Sequence, residues 1–205
     1  MAIKRLIESA VPEALLSLIK ALMREERLDR FYLVGGTSLA LRIGHRISVD
    51  IDLFTNEDFK ADPIGEFLQR GYSAASIEKE KNTVRAVISN INIDLITHRY
   101  QLLEPIKHID GIRMASLKDI AAMKINAISN RGAKKDFWDY AALLSCFTGE
   151  AMLSFYEAKY PSANAWHAEK SLSFFDDAEN EPDPRDLSGR TWPEIKQIIS
   201  QSLKM

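Results

Sequence analysis

An α/β chain of the α+β kind is predicted, a small mixed sheet followed by a helical region, and three observations predict it. Short apolar strands separated by turn residues fill the first half. No strand pattern recurs after Met114. Helical spacing then runs almost to the end. A boundary near residue 115 divides the chain into an α/β domain at 1–115 and a helical domain at 116–205, with a cleft expected where they meet.

The first helix is expected over Pro12 to Leu28, where Leu15, Leu16, Leu18, Ile19 and Leu22 recur at helical spacing and Pro12 suits a first turn. Phe31 to Val34 is a short buried strand ended by Gly35-Gly36, and a helix runs from Thr37 to Ile43. Ser48 to Phe54 alternates strictly and reads as a strand, with Val49, Ile51 and Leu53 directed to the core. A helix over Pro63 to Arg70 stops at Gly71. Strands follow at 74–79, 83–89 and 91–97, the last two joined by a Ser89-Asn90 hairpin turn. A ragged strand pair surrounds Asp110-Gly111. Helices are then expected at 116–129, 134–147, 149–159, 163–175 and 192–203. The acidic, proline-bearing stretch Asp176 to Asp186 interrupts them and reads as a solvated loop.

The chain has 205 residues, 46% of them hydrophobic, enough for one substantial core with room for a second helical region. A net charge of −2 gives no global positive field for an extended nucleic-acid partner, although a local patch is compatible with it. Cys146, the only cysteine, sits in an apolar stretch and is expected to be a buried thiol, so no disulfide framework points to secretion. The start mixes charges into its apolar positions, and no apolar run approaches the roughly 18 residues that span a bilayer. A cytoplasmic protein without a membrane partner is the expectation.

The chemistry concentrates between residues 34 and 54. Residues two apart on a strand share a face, so Asp50 and Asp52 should emerge side by side. Carboxylates held that close repel unless a cation lies between them, and Mg²⁺ typically takes one or two carboxylates plus phosphates and water. Asp94 stands in the middle of a second apolar strand, where an unpaired charge is costly. If the two strands are neighbours, three carboxylates converge and would suit two cations roughly 3.5–4 Å apart. Gly35-Gly36 lets the backbone turn sharply and approach a ligand, and the helix after it offers free N–H groups to a phosphate. The hydroxyls of Thr37 and Ser38 can add hydrogen bonds. Each piece alone has a plainer explanation: a simple turn, a helix cap, or Asp94 paired with Arg85. Order and spacing together favour chemistry.

The run Gly35-Gly36-Thr37-Ser38 followed by Asp50-x-Asp52 resembles the signature of the DNA polymerase β-like nucleotidyltransferase superfamily. The longer string from Val34 through Gly44-His45-Arg46-x-Ser48-x-Asp50-Ile51-Asp52-Leu53-Phe54 is similar, more narrowly, to the AbiEii/AbiGii-type nucleotidyltransferase toxins. Lys124 and the stretch Arg131 to Asp139 resemble later elements of that family. The resemblance implies a polymerase β-like domain and a transferase that moves a nucleoside monophosphate from an NTP to an RNA (tRNA-like) or protein acceptor, the toxin side of a type IV toxin–antitoxin or phage-defence pair. It implies that Gly35, Gly36, Thr37 and Ser38 hold the triphosphate and that Asp50, Asp52 and Asp94 bind Mg²⁺ or Mn²⁺. Lys124 would contact phosphate or balance charge. Arg46 and Ser48 belong to the same run. Asp136 and Asp139, one helical turn apart, would orient Lys124 or the nucleotide. Arg42 and His45 are nearly as well explained as a solvated basic loop, and Lys134 and Lys135 as an exposed first turn. Two other functions fit parts of the pattern: a non-catalytic NTP-binding sensor or interaction module, and a transferase acting on a small antibiotic-type molecule.

Overall fold

The computed structural model describes residues 5–203, and the charge-bearing start read above at Met1 to Lys4 lies outside them. Seven strands form one sheet: β1 (Tyr32–Leu33), β2 (Ile51–Thr55), β3 (Ala75–Glu80), β4 (Thr83–Ile88), β5 (Ile91–Thr97), β6 (Lys107–Ile109) and β7 (Ile112–Met114), in the order β3-β4-β5-β2-β1-β7-β6. It is mixed: β2 runs parallel to β5 and β1 parallel to β7, and the other neighbours are antiparallel. The hairpin β4–β5 turns at Ser89 and Asn90, both at positive φ, which matches the right-handed twist of the flanking strands.

Side-chain alternation sorts residues to two faces. Leu33, Ile51, Leu53, Ile93 and Leu95 join a core with α1 (Glu13–Leu22) and α3 (Ala61–Tyr72). Tyr32 and Val34 pack instead with α2 (Gly35–Ile43), α4 (Leu117–Arg131), α5 (Lys134–Leu143), α6 (Gly149–Lys159), α7 (Ala165–Ser171), the single turn α8 (Asp176–Glu179) and α9 (Trp192–Ser202). Asp52 alternates with Ile51 and Leu53, so it faces the helices.

Several boundaries move, for local reasons. α1 ends at Leu22, and Glu26–Leu28 is a separate 3₁₀ turn. α3 runs through Gly71 and stops at Ser73, which takes the left-handed conformation itself. β2 starts at Ile51, three residues later than expected, because Ile47 and Ser48 donate to the carbonyls of Arg185 and Ala10 and not to a sheet neighbour. Val49 is consequently 54% exposed and not in the core. Cys146 is exposed, contrary to expectation, because α5 ends at Leu143 and the chain turns outward before α6. Among the described residues no helix is long and apolar enough to cross a membrane.

Candidate active site

β1 delivers the chain to Gly35 at φ +68, a left-handed value that suits glycine. A side chain at Gly35 would run into the Asp52 carboxylate, and one at Gly36 into the Arg46 guanidinium. Gly35 is therefore held to glycine by conformation as well as by close approach, whereas at Gly36 a side chain would have to displace the Arg46 guanidinium. α2 begins at Gly35 itself, two residues earlier than expected, with Val34 as its cap.

The parallel pairing of β2 with β5 sets Asp52 directly opposite Asp94. Asp50 lies just before β2, its Oδ1 accepting from Asn92 Nδ2 at 3.0 Å. All three carboxylates line one cavity of about 430 Å³, whose other walls include Arg85, Arg131 and Lys135. Burial pushes the Asp52 carboxyl up to about 6; Lys124 pulls it back, and Asp94 and Asp50 push it further up. Asp94 is also raised by burial, with Arg85 opposing at 4.0 Å. Lys135 approaches Asp50 at 3.8 Å. Among the described residues the carboxylates do not close into a three-ligand metal cage. A hard cation sharing one or two of these carboxylates with phosphate and water fits this donor set.

Behind the cavity lies a buried charge network. Asp139 accepts two hydrogen bonds from Arg46, Nε at 2.7 Å and Nη2 at 3.0 Å, and meets Lys124 at 2.5 Å and His45 Nε2 at 2.6 Å. Burial opposes charge on Asp139, yet Lys124, Arg46 and His45 hold its carboxyl well below the usual carboxylate range. Asp136, one turn earlier on α5, takes Lys124 at 3.0 Å and Arg131 at 2.8 Å. The structure thus joins Lys124, Asp136, Asp139 and Arg46 directly beneath the glycine turn.

Thr37 and Ser38 are both buried, and their hydroxyls are engaged inside the fold. Thr37 Oγ1 donates to the Asp50 carbonyl and accepts from the Ser48 hydroxyl, tying α2 to the aspartate segment. Ser38 Oγ accepts from Arg42 Nη2 at 2.7 Å, and Arg42 Nη1 donates to the Ala115 carbonyl. Arg42 and His45 are buried, which rules out the solvated-loop reading for both. Lys134 is buried as well, its Nζ 3.0 Å from Asp183, whereas Lys135 is exposed.

The acidic stretch after α7 departs most from expectation. Only part of it is solvated. Glu181 accepts from the Lys134 N–H, and Asp186 accepts from Trp138 Nε1 at 2.9 Å. Residues 185–187 then run antiparallel to 45–47, through Ile47 N–H to the Arg185 carbonyl and Leu187 N–H to the His45 carbonyl. This strap covers the loop that carries Arg46. Sequence offered only one hint of it, the match of an acidic run with the Lys134-Lys135 pair. Also missed was the buried ion pair of Lys159 with Asp119 at 2.8 Å, which ties α6 to α4; a lysine late in an amphipathic helix gave no signal.

A glycine turn stands beside an aspartate pair, with a third aspartate on the adjoining strand, and comparison with known proteins gives the class of the chain, a nucleotidyltransferase. The nucleotidyl transferase AbiEii toxin family, of type IV toxin–antitoxin systems, matches residues 17–197, and the chain belongs to it. An uncharacterized protein of Aquifex aeolicus (strain VF5) is 34% identical over 180 residues, which cover 85% of this chain and 86% of that protein. Among solved structures, MenT4, a nucleotidyltransferase toxin from Mycobacterium tuberculosis H37Rv, is similar at a TM-score of 0.61 and 13% identity, over 92% of this chain and 80% of that one. JHP933 from Helicobacter pylori is similar at 0.54 and 14%, over 95% and 92%. At such identities the likeness is one of fold.

Proposed function

We propose that the chain moves a nucleoside monophosphate from an NTP onto an RNA (tRNA-like) acceptor with the help of Mg²⁺ or Mn²⁺, as the toxin of a pair completed by an antitoxin protein. One observation carries this reading: Asp52 and Asp94 face each other in register, in the cavity that also holds Asp50 and opens beside Gly35. Asp50 and Asp52 would hold the cation, with Asp94 beside them. Bound there, the cation would neutralise charge on the reacting phosphate and steady the leaving pyrophosphate. Asp94, the carboxylate flanked by Arg85, would accept the proton of the acceptor hydroxyl.

The backbone N–H groups at Gly35 and Gly36, at the start of α2, bind the phosphates. Thr37 and Ser48 fix the distance between that turn and Asp50, and Ser38 anchors Arg42 below it. Arg46 and Lys124, oriented by Asp139 and Asp136, set a positive floor under the site. Arg131, Lys135 and Arg85 are exposed cations lining the same cavity, available to an incoming triphosphate. In this scheme residues 1–115 form the transferase domain and 116–205 complete its cleft. Rate enhancement comes mainly from positioning and charge stabilisation.

Incubating the purified protein with each α-³²P-labelled NTP, Mg²⁺ and a total lysate, then resolving RNA and protein separately, tests the reading. Label is expected on RNA, and Asp50→Ala or Asp52→Ala should reduce it by about 100-fold or more. Undiminished transfer by both variants would sink the assignment of the aspartates. Label on protein would replace the RNA acceptor with a protein one.

A further inference from the structure

We infer that the chain carries a second binding site, for a single-stranded stretch of the polynucleotide acceptor away from its reacting end; this rests on the transferase reading above. A second cavity, of about 880 Å³ against about 430 Å³ for the one with the aspartates, opens between the end of β2 and α3. Phe31, at its floor, precedes β1, whereas Gly35 follows that strand. Asp58 and Phe59 follow β2, whereas Asp50 precedes it. The two cavities therefore sit at opposite ends of the same central strands, roughly 15–20 Å apart at about 3.3 Å per residue.

The lining has the chemistry that single strands use, cations interleaved with flat rings. Arg27, Arg30, Lys60 and Arg70 contribute four cations, against two carboxylates, Asp58 and Glu66. Both carboxylates are already engaged: Asp58 by Arg99 at 2.6 Å and Glu66 by Arg70 at 3.5 Å. Arg30 pairs with Glu57 at 3.2 Å. Arg27 and Lys60 make no ion pair among the described residues, and the Arg27 guanidinium is set over the Phe67 ring at 5.3 Å. Phe59 and Phe67, both half-buried, add apolar ring surface. In a chain of net charge −2, unpaired cations beside aromatic rings are a local reversal of the overall field. Paired phosphate and base surfaces answer that combination better than an acidic peptide, which supplies charge without the stacking face.

The test is fluorescence anisotropy of the full-length protein with a labelled single-stranded RNA oligonucleotide, over a salt series and without NTP. Arg27→Glu/Lys60→Glu, a pair of exposed positions, is expected to raise Kd by at least about tenfold and to reduce the salt slope by about 0.7 for each phosphate contact removed. Phe67→Leu should weaken binding without changing that slope. Thermal stabilisation by Mg²⁺-NTP should be unchanged in these variants, and Asp50→Ala should still bind the RNA. Unaltered RNA affinity in the charge-reversed protein, or no RNA binding by the wild type, overturns the inference. Polyglutamate captured by the wild type in place of RNA, and released by charge reversal, overturns it in favour of an acidic protein partner. RNA binding needs no turnover, so absence of nucleotide transfer with this binding intact would count against the transferase reading alone.

Discussion

At Asp52, burial lifts the carboxyl from its ordinary 3.8 to about 6, so the folded protein holds that proton more tightly than the unfolded chain does. Ionising it costs stability as pH rises through that interval, and the cost persists at higher pH. In chelator, Asp52→Asn is expected to raise stability by about 1–3 kcal/mol near pH 8 and to do little near pH 4, read by thermal melting. Equal melting of the two proteins at the higher pH would refute the cost. The aspartates were legible because strand alternation and spacing work at the scale of single residues. Val49 was misread by the same rule: alternation assumes a strand, and the backbone there bonds to Ala10 and Arg185. Arg42 was ambiguous because a short helix can turn a cation inward, and the buried Ser38 and Ala115 oxygens that receive it are far from one another in sequence.

Between elements, the strap at 181–187 shows what periodicity leaves out. Pro182 and Pro184 forbid a regular helix, and acidic residues usually mark solvent, so composition favoured a loop. Its role depends on partners more than forty residues distant: Trp138 for Asp186 and Lys134 for Glu181. Asp186 also accepts from the Arg190 N–H and Ser188 Oγ, so one carboxylate organises the turn into α9. Asp186→Ala should cost about 1–3 kcal/mol in urea unfolding, because Trp138 Nε1 is left buried without an acceptor. It should also raise KM for NTP more than it lowers kcat, since the loop bearing Arg46 loses its cover. An unchanged KM would confine Asp186 to a structural part. The seven-strand order, by contrast, was only partly legible, because strand neighbours separated by helices leave no local trace.

Across the whole molecule, Asp139 is the point where the sheet-forming half and the helices are held together. Its carboxylate is fully buried, and Arg46, His45 and Lys124 reach it from two different segments. Removing one member of such a cluster strands the other charges away from water. Asp139→Ala is expected to destabilise by about 3–5 kcal/mol in chemical denaturation, with the sheet and helices still unfolding in one transition. Unchanged stability would show that the cluster around Asp139 does not hold the halves together. The single break in pattern near residue 115 anticipated the change from sheet to helices, but not that Tyr32 and Val34 would pack with the later helices.

The parallel pairing of β2 with β5 joins residues about forty apart in the chain, and the groups that position the site come later still, at Lys124, Asp139 and the strap. Pairings of that separation form late. During translation the glycine turn and first two aspartates emerge well before the residues that hold them in place. A nascent chain thus displays the motif before the residues that position it have been made.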